Sequence, residues 1–210
     1  MAATVLLATA ALAPQAHAAG GATTARQPGT RSVFGAPHTS KCRQAVAAGI
    51  SDDAALEECN LAIRDEGISG SSGIGLITNR GVLHMRRHEG EAAIADFNTV
   101  IARDPRNADA YLNKGAALVM LRRPGEAVAA ITTALSYGVD APHKAYFNRA
   151  AAREAMGDVR GAYEDYNTAL TIRPDWGAAE AELARFARGR RERLAAQLSD
   201  PTTPAPTGTP

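Results

Sequence analysis

The chain has 210 residues, 45% of them hydrophobic and 21% charged, and its formal net charge is +1. That length suits one domain with a buried core. A near-neutral balance gives no long-range attraction to a nucleic-acid backbone or an anionic membrane, so neither partner class is indicated.

Ala2 to Ala13 form an apolar run, followed by Pro14 and the small-residue triplet Ala16-His17-Ala18. The pattern reads as a secretory signal peptide over 1–18 with cleavage after Ala18, and it is too short to span a bilayer as a helix. No Lys or Arg precedes the run, which leaves open an Ala-rich N-terminus of a cytosolic chain. No Cys follows it closely, so a lipid anchor is not indicated. Residues 19–38, rich in Gly, Thr, Ala and Pro, read as an unstructured lead-in. An exported chain would be periplasmic or secreted.

From Ile74 onward the chain repeats itself. Gly81, Ala93, Phe97, Val100 and Pro105 recur as Gly115, Ala127, Ile131, Ala134 and Val139, then as Ala150, Ala162, Tyr166, Ala169 and Pro174. The offsets are 34 (81 to 115) and 35 (115 to 150). A fixed period in this range signals stacked two-helix units. In the first unit, helices are predicted from about Ile74 to Arg87 and from about Glu91 to Arg103, turning at Glu89-Gly90 and stopping at Asp104-Pro105. The next units turn at Arg123-Pro124-Gly125 and Gly157-Asp158.

A degenerate copy precedes these three. Ala55, Cys59, Ala62 and Ile63 match Ala93, Phe97, Val100 and Ile101, all at the i, i+4, i+7, i+8 spacing of one helical face. Cys42 and Cys59 are 17 residues apart, as are Arg80 and Phe97, Lys114 and Ile131, and Arg149 and Tyr166. Residues so placed about the turn of an antiparallel helix pair face each other, so the two cysteines are expected to pair, at a gain of about 3 kcal/mol. Two free thiols filling a core are the alternative, favoured if the chain is cytosolic. Ile68 to Gly75, Gly- and Ser-rich, reads as a turn-like joint between this copy and the first full unit.

With its small, bulky and Pro positions recurring in three full units, the chain resembles the tetratricopeptide-repeat family over about Thr39 to Ser199. The resemblance implies an all-α, right-handed solenoid of antiparallel helix pairs: a degenerate unit over 39–67, units over 74–107, 108–142 and 143–176, and a capping helix over 177–199. It also implies that the first helices line a concave surface holding a peptide or protein partner. Departures are Ile77 and His84, Tyr111 and Leu118, and Tyr146 and Arg153 at the family's early-Trp and later-Tyr positions, and Val139 in place of the closing Pro. Asp175 to Ser199, with Trp176, Leu183 and Phe186 among many Glu and Arg residues, reads as a helix covering an exposed apolar end. Its basic stretch from Arg185 to Arg193 is interspersed with Glu182 and Glu192, as a solvated face would be. The Pro/Thr-rich tail 200–210 reads as disordered.

Chemistry-bearing patterns are sparse. His84 and His88 stand at i, i+4, but no third ligand accompanies them at a diagnostic spacing, so no metal site is assigned. No nucleophile triad, phosphate-binding loop or HExxH motif appears, and neither an enzyme nor a cofactor is indicated. One polar signature repeats: Asn79, Asn113 and Asn148 precede Arg80, Lys114 and Arg149 in the three first helices. The resemblance places these amides in the concave groove, where each offers a donor and an acceptor to an extended ligand. Arg86 and Lys144 are the nearest basic residues that could complete a carboxylate clamp. The competing reading is that the amides bridge neighbouring helices. Arg80, Lys114 and Arg149 are expected to snorkel, stems packed and heads in water. Two functions follow: a scaffold gripping an extended segment of an envelope partner, or an assembly module acting through an exposed helix face or the C-terminal basic helix.

Overall fold

The computed structural model describes residues 37–66 and 70–199, and these contain nine helices and no strand. The helices are α1 (Pro37–Ala47), α2 (Asp53–Glu66), α3 (Gly70–Arg86), α4 (Gly90–Arg103), α5 (Ala108–Met120), α6 (Pro124–Tyr137), α7 (Pro142–Ala155), α8 (Val159–Ile172) and α9 (Gly177–Ser199). The signal peptide, most of the lead-in and the tail inferred from sequence lie outside the described residues.

Helices pair in sequence: α1 with α2, α3 with α4, α5 with α6 and α7 with α8. The odd helices also touch one another, α1 to α3, α3 to α5 and α5 to α7, while the even helices make no comparable contacts among themselves. Rows that touch lie at the smaller radius of a curved stack. The odd helices therefore form the inner, concave row and the even helices the outer one, giving the all-α solenoid its two layers.

The small-residue positions explain how closely each pair approaches. A Cβ added at Gly81 would stand 2.7 Å from Phe97 Cε1, and one at Gly115 would overlap Ile131 Cγ1 and lie 3.4 Å from the Ala127 carbonyl oxygen. Phe97 and Ile131 are fully buried against these glycines. In the third unit Ala150 serves, with Tyr166 packed nearby in the same cluster. Gly115→Ala is therefore expected to cost about 1–3 kcal/mol by overpacking, seen as a lower urea midpoint. Adding Ile131→Val should restore part of it. An unchanged midpoint in the single variant would show that the two helices part freely.

Two turns differ from their expected form. Gly90 does not sit in the turn but opens α4, where a Cβ would meet Leu121 Cγ at 2.7 Å. Within the three full units, the turn between paired helices has a left-handed residue at His88 (φ 61), Arg122 (φ 57) and Gly157 (φ 82), at equivalent places. Nor is Ile68 to Gly75 a joint throughout, because α3 begins at Gly70. Gly73 is buried and Ile74 packs in the cluster that holds Ile63, Ile77 and Ile101. That apolar contact outweighs the helix-breaking tendency of the glycines, which is about 1 kcal/mol each.

In the degenerate unit, the Sγ atoms of Cys42 and Cys59 lie 2.06 Å apart, both side chains fully buried. Around them are only Ala45, Val46, Ala55 and Ala62 as buried apolar neighbours on α1 and α2. At the other end, α9 packs on α8, with Trp176, Leu183 and Phe186 laid against Phe147 and Tyr166. Arg185 reaches Glu154 at 2.6 Å.

Candidate interaction site

The inner row carries the repeated asparagines, but in different states. Asn79 on α3 is half-buried, whereas Asn113 on α5 is 1% exposed and Asn148 on α7 is 5% exposed. The Nδ2 atoms of Asn113 and Asn148 are buried with no hydrogen-bond partner. An unsatisfied buried donor costs about 1–3 kcal/mol, so each amide gains by meeting an acceptor.

Two more side chains of the same helices share that condition. Asp109 Oδ1, one turn before Asn113, and His143 Nε2, beside Lys144 at the start of α7, are buried without partners. Burial pushes the Asp109 carboxyl above its ordinary range, and the nearby Asp140 adds to the effect; Lys144 and a backbone hydrogen bond from Asp140 oppose it. Burial lowers His143 and Lys144, and Arg173 pushes both down further. The imidazole of His143 stands edge-on to Trp176, with ring centroids 5.0 Å apart.

The two basic residues proposed from sequence are placed differently. Arg86 Nη1 donates to the Val46 carbonyl at 2.8 Å, which ties α3 to α1. Lys144 stands one turn before Asn148, within electrostatic reach of Asp109 and Arg173. The structure thus gathers Asn113, Lys144 and Asn148 on neighbouring helices and sets Arg86 to work inside the stack.

The arginines expected to snorkel do not. Arg80 Nε and Nη2 donate to both oxygens of Asp96, at 2.9 and 2.6 Å, and its Nη1 donates to Asn60 of the preceding unit at 3.0 Å. Arg149 repeats the arrangement with Asp165, at 2.8 Å twice, and with Thr132 of the preceding unit at 3.3 Å. Asp96 and Asp165 are 5% and 3% exposed, and a carboxylate so buried needs a forked cation to satisfy it. His84, 3.9 Å from Asp96, also bonds Glu89 at 2.6 Å, and at its equivalent place Arg153 lies 3.0 Å from Asp165 and 3.9 Å from Asp158. The middle unit has Leu118 and Ala130 instead, an apolar version of the same position. The signal was present in the sequence as an Arg and an Asp 16 residues apart in the first and third full units.

His84 is thus occupied with carboxylates and His88 sits exposed at a left-handed turn. No group of three or more metal-ligating side chains is found among the described residues.

The family profile of the tetratricopeptide repeat matches residues 143–175, which coincide with α7, α8 and the Pro174 stop. The same helix pair occurs two more times in register before it. Residues 143–175 are a tetratricopeptide repeat. Among solved structures, the chain superposes on MamA residues 41 to the end from Desulfovibrio magneticus RS-1, with a TM-score of 0.62 at 17% identity, covering 78% of this chain and 92% of that one. It superposes on the first repeat domain of Spaghetti (RPAP3) bound to the HSP90 peptide SRMEEVD, with a TM-score of 0.54 at 23% identity, covering 58% and 96%. The second such domain of human RPAP3, in complex with the HSP70 peptide SGPTIEEVD, gives a TM-score of 0.50 at 26% identity over 55% and 98%. No curated protein sequence matches the chain.

Proposed function

We propose that this chain is a non-catalytic scaffold that holds an extended segment of a partner protein in its concave face, outside the cytoplasm. The observation that carries the reading is the inner row itself, where amides at equivalent places on successive helices include two with unpaired, buried Nδ2 donors. Similar folds hold peptides: the two RPAP3 domains were solved with acidic peptides bound. Export is supported by the signal-like residues 2–18 and by the buried cysteine pair, since disulfides persist in oxidising compartments. No helix among the described residues is long and apolar enough to cross a membrane.

The test is a crosslinking pulldown from the envelope fraction with the wild-type chain and with Asn79→Ala/Asn113→Ala/Asn148→Ala. Loss of specific partners with unchanged helical circular dichroism supports the groove; capture that survives all three substitutions rejects it. That second outcome would favour an assembly role. The exposed Met156, Val159 and Tyr163 at the α7–α8 end, 58%, 49% and 49% exposed, are the surface on which such a role would rest.

A further inference from the structure

The two ends of the stack are finished differently. At the C-terminal end α9 lies over α8, whereas α1 and α2 pack on each other and, by one flank, on α3. Ile63 of α2 points to that flank, toward Ile77 of α3. The opposite flank carries a cleft of about 370 Å³ whose apolar lining is Ala45, Ala48, Ala54 and Ala55, with Ile50, 48% exposed, at the turn between the helices. Its polar lining includes Asp52 and the Lys41–Glu58 pair, 2.9 Å apart. The outer face of a terminal unit in a solenoid needs a cover, and no helix among the described residues supplies one here.

We infer that Arg31 to Phe34, just ahead of α1, turn back along that helix and seat Val33 and Phe34 in this cleft, so that the chain's own lead-in closes the N-terminal end as α9 closes the other. Sequence, reach and charge agree on this occupant. Val33 and Phe34 are the only large apolar residues between Ala18 and Pro37. A helix rises about 1.5 Å per residue, which sets Ala45 roughly 12 Å along α1 from Pro37. Three extended residues cover about 10 Å, which brings Phe34 back to the level of Ala45. Three more carry Arg31 to the turn end, where Asp52 lines the cleft. Gly35 falls where the chain has to reverse, a place that favours a residue without a Cβ.

The charges are complementary. Residues 19–36 hold two arginines and no acidic residue, whereas residues 37–66 hold six Asp or Glu against three Lys or Arg. A second copy docked by the same flank would set that acidic surface against itself. The consequence reaches the degenerate unit, whose buried apolar side chains besides the cysteines are Ala45, Val46, Ala55 and Ala62. An aromatic ring laid over Ala45 and Ala55 gives this unit the bulk that Phe97, Ile131 and Tyr166 give the later ones. The inference stands apart from the groove reading, since the cleft and the inner faces of α5 and α7 share no residue.

The experiment is NOE spectroscopy on the full chain with labelled Phe rings and Ala methyl groups. The Phe34 ring is expected to show NOEs to the methyls of Ala45, Ala48 and Ala54, and these should persist when the labelled chain is diluted tenfold into unlabelled chain. Absence of the NOEs overturns the inference. NOEs that disappear on dilution also overturn it, because the occupant is then a second copy. Val33→Ser/Phe34→Ser, outside every helix, should speed amide exchange in α1 by about tenfold and leave α5 to α8 unchanged. An α1 exchange rate that ignores the substitution shows that the segment covers nothing.

Discussion

Replacing Asp165 with alanine is expected to be the most damaging single substitution in the stack, at about 3–5 kcal/mol. The carboxylate takes both prongs of Arg149 at 2.8 Å and a third contact from Arg153 at 3.0 Å, and its side chain is 5% exposed. Removing it leaves two guanidiniums, 14% and 26% exposed, facing each other with only Asp158, 3.9 Å from Arg153, as a counterion. For a chain of this size the loss corresponds to a drop of roughly 6–20 °C in melting temperature. The middle unit shows how to repair it. Arg149→Lys/Arg153→Leu/Asp165→Ala reproduces Lys114, Leu118 and Ala130 of that unit and should recover most of the loss, because one cation is gone and the lysine that remains can extend its ammonium to solvent. A triple variant as unstable as the single one would refute the charge explanation and implicate packing instead.

Cys42→Ala/Cys59→Ala is expected to lower stability by about 3 kcal/mol, the loop-closure contribution of a bridge this wide in sequence. The effect should be local. Few bulky side chains brace α1 against α2, so amide exchange should rise in those two helices while α5 to α8 keep their protection. Thiol labelling of the unfolded wild-type chain supplies the prior check: both cysteines should resist labelling until reductant is added. Two labelled thiols without reductant would remove the bridge, and with it the reason for the local effect.

The fold was legible in the sequence because its signal is repeated. Gly81, Gly115 and Ala150, each opposite a bulky Phe97, Ile131 or Tyr166, report a close helix crossing three times over, and no tertiary context is needed to read them. The helix ends were harder. Gly90 looks like a turn residue, yet it is small to make room for Leu121 of the next unit, a contact visible only after the units are stacked. Ile68 to Gly75 looks like a break, yet burial of Ile74 extends the helix through it. Arg80 and Arg149 depart from expectation for a related reason: a long basic side chain is usually solvated, and only the register of the paired helix brings Asp96 and Asp165 beneath it. Within the candidate site, the asparagines announced themselves by repetition. Asp109 and His143 do not repeat, so nothing in the pattern marked them; they emerge from what the packed helices leave unpaired.

Arg80 and Arg86 of α3, and Arg87 just after it, bear on how the array comes apart. Arg80 holds Asn60, Arg86 holds the Val46 carbonyl, and Arg87 holds the Ser51 carbonyl at 3.1 Å and Asp53 at 2.7 Å, so the small first unit is lashed to the second from three directions. At the opposite end α9 packs on α8 and reaches α7 through the exposed Arg185–Glu154 pair. In a linear array with nearest-neighbour coupling, ends normally fray in proportion to their own weakness. Here the unit with the thinnest core is tied to its neighbour by three arginines, so its α1 and α2 are expected to exchange their amides no faster than α9 does while the disulfide is intact.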